Sequence, residues 1–178
     1  MPFCLTYYAD ALYANSLNDR KSYSGYIAQL GEAIISWESK KQRSVVVSTT
    51  KAEYMAMSLA SRHLIWLQRG LQLFRGIASA STSSSIATAS HDLDYLLGDN
   101  QGALELAKNP RINSHSKHIN VHYHYVQQQL EDGNFDILYV PTSDNVADLL
   151  TKNLPKPRHL KLANQIVKID GVPCEGQC

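Results

Sequence analysis

An α/β fold with a mixed sheet is what this sequence predicts, and three observations predict it. Short strand patterns fill the front of the chain, with Phe3, Leu5 and Tyr7 alternating against Cys4, Thr6 and Tyr8 in the first of them. One long amphipathic stretch follows. Its Ala52, Met55, Ala56, Leu59, Ala60, Leu64, Leu67, Leu71 and Phe74 recur at three- and four-residue steps and form a single apolar face. After it, helix and strand patterns alternate to the end, the arrangement of an α/β sheet flanked by helices.

Each element has its own signal. Residues 3–9 read as the first strand, ended by Ala9-Asp10. Residues 11–24 are polar and turn-rich and read as a loop. Gly25–Leu30 and Ala33–Trp37 read as two strands of a hairpin around Gly31-Glu32. The run Ser44–Ser48, with Val45, Val46 and Val47, reads as a strand end leading into the long helix. There Thr50 and Glu53 fit the Ser/Thr-x-x-Glu capping pattern, which places Glu53 in the first turn. Residues 76–91 are rich in Ser, Ala and Thr and read as a flexible connector or insertion. Leu93–Leu97 is the next strand and Ala103–Lys108 a short helix stopped before Pro110. His118–Leu130 is a further helix closed by Gly133, and Phe135–Val140 the last strand, ended by Pro141. Asn145–Thr151 is a helical turn and His159–Val167 a terminal helix. The domain is expected over 1–168, with 169–178 as a tail.

With 178 residues and 44% hydrophobic content, the chain can bury a core as one domain. No apolar run reaches the ~20 residues of a membrane span. The N-terminus enters a strand pattern directly, without the look of a signal peptide. Cys4, Cys174 and Cys178 are odd in number and fit a reducing compartment better than a disulfide framework. An intracellular site rather than a secreted one is expected. Net charge is only +1, yet two segments hold no acid. Leu106–Leu130 carries Lys108, Arg111, Lys117 and four histidines. Lys152–Lys168 carries Lys152, Lys156, Arg158, Lys161 and Lys168. Such segments suit a polyanion, or else form solvated faces.

Four acids stand at places where an α/β sheet can bring them together. Asp10 ends the first strand, Glu53 opens the long helix, Asp99 ends the strand before the second helix, and Asp148 lies in the helix after the last strand. Carboxylates from such positions can converge in the crevice at the strand ends. Hard divalent cations take oxygen ligands, and two of them can activate a water and stabilise a leaving oxygen in phosphodiester cleavage. Taken singly, each acid also reads as a cap or a turn former.

Ordered motifs then carry a resemblance. They are Tyr8-Ala-Asp10, Asp19-Arg-Lys-Ser22 with Ser24-Gly-Tyr26, and Ile35-Ser-Trp37 with Ser39-Lys-Lys-Gln42. They continue with Ser48-Thr-Thr-Lys-Ala-Glu-Tyr-Met-Ala56, Asp99-Asn-Gln101, Lys108-Asn-Pro110, Ser116-Lys-His-Ile119, Tyr139-Val-Pro-Thr142 and Val146-Ala-Asp-Leu-Leu-Thr-Lys152. Over about residues 5–165 the chain resembles the ribonuclease H domain at the end of the Pol polyprotein of copia-type LTR retrotransposons. The resemblance implies a five-stranded mixed sheet, three antiparallel strands and then two parallel, flanked by helices. It implies endonucleolytic cleavage of RNA in RNA–DNA hybrids with two Mg²⁺ ions, Mn²⁺ being a substitute. It makes Asp10, Glu53, Asp99 and Asp148 the catalytic, metal-holding acids. It places Thr49, Thr50 and Gln101 against the hybrid's minor groove, where the 2′-hydroxyl marks RNA. A reverse transcriptase portion of the same polyprotein is the implied partner, and no membrane.

Departures from the family pattern are Leu12 and Tyr13 for a second Asp and a Trp, Lys51 where an acid is common, and His115 for a frequent Arg. The connector at 76–91 is long, and Ser143–Ala147 offers no histidine before the final acid. With a start at Met1, they point to an element copy in decay. Three readings stay open: an active ribonuclease H, an inactive relative that still binds nucleic acid, and another two-metal nuclease or strand-transfer domain of the superfamily. Lys117 and His118, with Lys152, Lys156, Arg158 and Lys161, are the expected backbone contacts. His118 and His122 also have a zinc-like i, i+4 spacing, and a mixed polar and aromatic face is the third reading of the histidines.

Overall fold

The computed structural model describes residues 4–81, 93–109 and 117–166, with the side chains of 75–81 and 117–120 outside that description. Strand β1 is Leu5–Leu12, β2 Tyr23–Leu30 and β3 Ala33–Lys41. Helix α1 runs Thr49–Ser81 and is followed by β4 (Tyr95–Gly98), α2 (Gln101–Lys108), α3 (Lys117–Glu131) and β5 (Asp136–Tyr139). A 3₁₀ turn at Thr142–Asp144, the short α4 (Asp148–Thr151) and α5 (Lys156–Ile166) complete the order. The sheet order is β3-β2-β1-β4-β5, antiparallel from β3 to β1 and parallel from β1 to β5. This is the mixed sheet that the sequence leads one to expect.

Alternation along β1 sends Leu5, Tyr7 and Ala9 into the main core with Tyr26, Ala28 and Leu96. Helix α1 covers that face through Tyr54, Met57, Ala60 and Leu64, and Val126 of α3 joins them. The opposite face is smaller: Ile27, Tyr8 and Ile34 pack against Val146, Leu150 and Leu162 from the C-terminal segment. Helices on both faces leave the strand ends as the open rim.

Four sequence expectations are corrected. The run Ser44–Ser48 is not a strand; only Val46 is buried, while Val45 and Val47 face solvent. The β-branched residues satisfy local propensity, but the chain is turning there into α1. The cap of α1 is Ser48, not Thr50: its Oγ accepts the Lys51 N–H at 3.3 Å and its carbonyl accepts Ala52 N–H at 3.1 Å. Glu53 is therefore two residues further in, past the first turn, and free of a capping role. Strand β1 extends to Leu12 and β2 begins at Tyr23, so Asp10 lies inside a strand and the loop is shorter than 11–24. The helix absorbs residues 76–81 of the expected connector, and Phe74 is exposed rather than part of the apolar face. The remainder of the connector, His115, Cys174, Cys178 and the tail lie outside the described residues.

Candidate active site

Asp10 is fully buried on β1, between β2 and β4. Glu53 reaches it from the second turn of α1, where one of its oxygens accepts the Ala11 N–H at 3.0 Å. Asp99 follows β4 directly, just before Asn100 caps α2 by accepting the Ala103 N–H at 3.0 Å. Asp10, Glu53 and Asp99 each offer an oxygen, and these oxygens lie within 4.8 Å of one another.

Asp148 arrives from the other side of the sheet. It opens α4, is fully buried, and is joined to Asp10 by one ammonium group. Lys152 Nζ lies 2.6 Å from Asp148 Oδ1 and 2.9 Å from Asp10 Oδ1. Arg158 pairs with Asp148 through Nη2, and Thr151 donates its hydroxyl to Asp10.

Two small features let α4 come this close. Gly25 pairs with Asp10 across β1 and β2. A Cβ there would stand 2.8 Å from Thr151 Cγ2 and 3.1 Å from Leu150 Cβ, so the helix could not sit where it does. Asn145, also fully buried, donates to the Ala9 carbonyl at 3.0 Å and pins the approach to α4 against β1.

The electrostatics follow from burial and crowding. Burial, then Asp10 and Asp99 beside it, push the Glu53 carboxyl up to about 9; Lys152 and the Ala11 N–H offset only part of this. Burial pushes Asp148 up to about 6 against the pull of Lys152. Burial opposes the Lys152 charge, but the two aspartates outweigh it and hold the ammonium more firmly protonated than usual. Crowded carboxylates without histidine or cysteine form a hard, all-oxygen donor set, which fits a divalent cation of the Mg²⁺ type.

The other expected residues fall in three groups. Thr49, Thr50 and Gln101 lie at the adjoining starts of α1 and α2; a Cβ on Gly102 would come within 3.4 Å of the Thr50 hydroxyl. Lys152, Arg158 and Lys161 face carboxylates of the fold, Lys161 through Asp144 at 2.8 Å, whereas Lys156 is exposed. The side chains of Lys117 and His118 lie outside the described residues. His122 hydrogen-bonds Ser58 at 2.9 Å and His124 is exposed. Sequence reasoning missed Thr151, Asn145, Gly25 and the bridging role of Lys152. Only the last left a signal, its i, i+4 spacing from Asp148.

No protein-family model matches the chain. Among solved structures it is similar to the N-terminal RNase H domain of a Mycobacterium tuberculosis protein, with TM-score 0.54, 14% identity, and coverage of 93% of this chain and 99% of that one. It is also similar to an RNase H1 isolated from compost, with TM-score 0.55, 16% identity, and coverage of 84% and 93%. A structure titled as that RNase H1 in complex with RNA/DNA hybrid matches at TM-score 0.51, with 14% identity, over 83% of this chain and 93% of that one. The fold is therefore that of RNase H.

In sequence the chain is 34% identical over 161 residues to the retrovirus-related Pol polyprotein from transposon TNT 1-94 of Nicotiana tabacum. It is 36% identical over 169 residues to that from transposon RE2 of Arabidopsis thaliana. These matches take in 90% and 95% of this chain and 11% of each polyprotein. The chain is thus a homologue of copia-type retrovirus-related Pol polyproteins, matching a stretch about 11% of their length.

Proposed function

We propose that this chain is the RNase H part of a retrotransposon Pol polyprotein and cleaves the RNA strand of RNA–DNA hybrids. The observation that carries this is the convergence of Asp10, Glu53 and Asp99, from three separate elements, to within 4.8 Å. Asp10, Glu53, Asp99 and Asp148 would hold two Mg²⁺ ions, with Mn²⁺ as a substitute. Bound there, the ions supply an activated water and charge stabilisation at the leaving oxygen. Asn145, Gly25 and Thr151 position the carboxylates, and Lys152 balances Asp10 against Asp148. Thr49, Thr50 and Gln101 meet the minor groove, where the 2′-hydroxyl separates RNA from DNA. Lys156 is exposed for a phosphate, while Lys152, Arg158 and Lys161 reach one only by releasing their acids. Lys117 and His118 complete the expected contacts. The partner is the reverse transcriptase portion of the same polyprotein, in an intracellular particle or the nucleus.

One observation favours a second reading. Lys152 already bridges two of the four acids, as it would in a protein that binds hybrid without cutting it. Cleavage of a labelled RNA–DNA hybrid in Mg²⁺, beside double-stranded RNA and DNA, separates the two. Hybrid-only cleavage that Asp10→Asn reduces by at least ~10³-fold supports the enzyme. A folded protein that binds hybrid and leaves it whole supports the second reading.

A further inference from the structure

A second basic region joins the run Lys40-Lys41-Gln42-Arg43 to Arg62 of α1. The end of β3, the following turn, α1 and α3 enclose a groove of about 320 Å³. It is lined by Lys40, Lys41, Arg43, Arg62, His122 and several polar or apolar side chains, and no acid lines it. Lys40 pairs with Glu38 at 3.2 Å and Lys41 with Asp19 at 2.9 Å. Arg43 and Arg62 have no carboxylate partner among the described residues, and both are exposed. Arg62 is aimed by its own helix, Nε donating to the Ser58 carbonyl at 3.1 Å.

The groove shares its backbone with the acidic cluster. Ser24 in its wall pairs with Ala11, whose N–H binds Glu53. Gln42 in its floor donates to Ser24 Oγ at 2.8 Å and to the carbonyl of Ala52, the residue before Glu53, at 3.0 Å. The groove is thus tied to the two elements that carry Asp10 and Glu53. Guanidinium groups without an acid partner are suited to phosphate, which they bind in a fork.

We propose that this groove, through Arg43 and Arg62, holds phosphates of the nucleic-acid substrate beside the cleavage site. The inference rests on the hybrid reading above and adds to it the residues that grip the backbone. Phosphate contacts carry no sequence information, so the grip is general. Each neutralised phosphate contributes about 0.9 to the salt slope of duplex binding.

The test is anisotropy of a labelled RNA–DNA hybrid, in EDTA to prevent cleavage, over about 50 to 200 mM salt. Compared are the wild type, Arg43→Gln/Arg62→Gln and Arg43→Lys/Arg62→Lys, each shown to be folded by its melting transition. The glutamine pair should lower the slope by about 2 and weaken binding roughly tenfold or more at the lowest salt. The lysine pair should keep the slope, since charge is retained. Hybrid binding by the wild type with an unchanged slope in the glutamine pair would overturn the groove and leave the hybrid reading standing. A wild type that binds no hybrid would overturn both.

Discussion

Two basic regions of this molecule differ in what their charges face. Near the C-terminal end of the described chain, Lys152, Arg158 and Lys161 turn toward Asp10, Asp148 and Asp144. In the groove between β3, α1 and α3, Arg43 and Arg62 face no carboxylate among the described residues. The first region is dense in sequence and committed in space. In the second, Lys40 and Lys41 are paired with Glu38 and Asp19, while Arg43 and Arg62, 19 positions apart, are open in space. A count of lysines and arginines along a chain does not show which of them the fold has already paired. What matters is whether the fold has already supplied each cation with an anion.

The largest effect should come from removing the most committed cation. Lys152→Met leaves Asp10 and Asp148, both fully buried, without their shared ammonium. Breaking a buried ion pair costs ~3–5 kcal/mol, and the figure here is reduced because Lys152 is itself a quarter exposed. Thermal unfolding in EDTA should show a fall of several degrees, and added Mg²⁺ should recover part of it. An unchanged transition would mean that the ammonium is not balancing these acids.

Glu53 sharpens the comparison from the opposite side, as an acid whose neighbours are mostly other acids. The folded carboxyl holds its proton up to about 9, whereas the unfolded one releases it near 4.5. Between those values the folded state binds more protons, so metal-free stability falls as pH rises, at up to ~1.4 kcal/mol per pH unit. Glu53→Gln should flatten the loss between pH 6 and about 9 in denaturant titrations. Asp148, raised to about 6, contributes with the same sign at lower pH. A variant whose stability declines as steeply as the wild type would show that Glu53 is paired by something else.

Much of this site was legible in the sequence, and the illegible part has a physical cause. The convergence of Asp10, Glu53 and Asp99 could be anticipated because an α/β sheet opens a crevice at its strand ends, although Asp10 lies inside β1 and Glu53 beyond the first turn of α1. The Lys152 bridge could have been read from its spacing to Asp148. The cap was misread because Ser48, Thr49 and Thr50 are all competent N-caps, and only the turn of the chain selects Ser48. Val45–Val47 has strand propensity, but the chain gives it no strand pairing there. The groove was beyond reach, since packing of α1 on the sheet brings Arg62 to the same groove as Arg43 and no local pattern encodes that. Gly25 was quoted as part of a motif, yet its reason is steric and lies more than a hundred residues away at Thr151.

That steric reason yields a smaller effect. Gly25→Ala places a methyl group 2.8 Å from Thr151 Cγ2 and 3.1 Å from Leu150 Cβ. Helix α4 must shift, at a cost of about 1–3 kcal/mol, and it carries Lys152 and Asp148 away from Asp10. Hybrid cleavage should fall more than stability alone explains, because the carboxylates separate while the core face under α1 is untouched. If activity per folded molecule stays at the wild-type level, the register of α4 over β2 does not set the geometry of the acids.

The smallest effect should fall on the rim of the committed region. Lys161 pairs with Asp144 at 2.8 Å, but both side chains are about half exposed. Exposed pairs contribute ~0–1 kcal/mol, so Lys161→Gln should leave the unfolding midpoint nearly unchanged. Its influence on hybrid binding discriminates between the regions. If Asp144 already neutralises it, the substitution changes the salt slope by well under the ~0.9 expected of one phosphate contact. A full unit of slope would mean that Lys161 exchanges Asp144 for phosphate when the hybrid binds. The committed region would then be a reserve of cations released by substrate, and the groove would be one of two grips instead of the principal one.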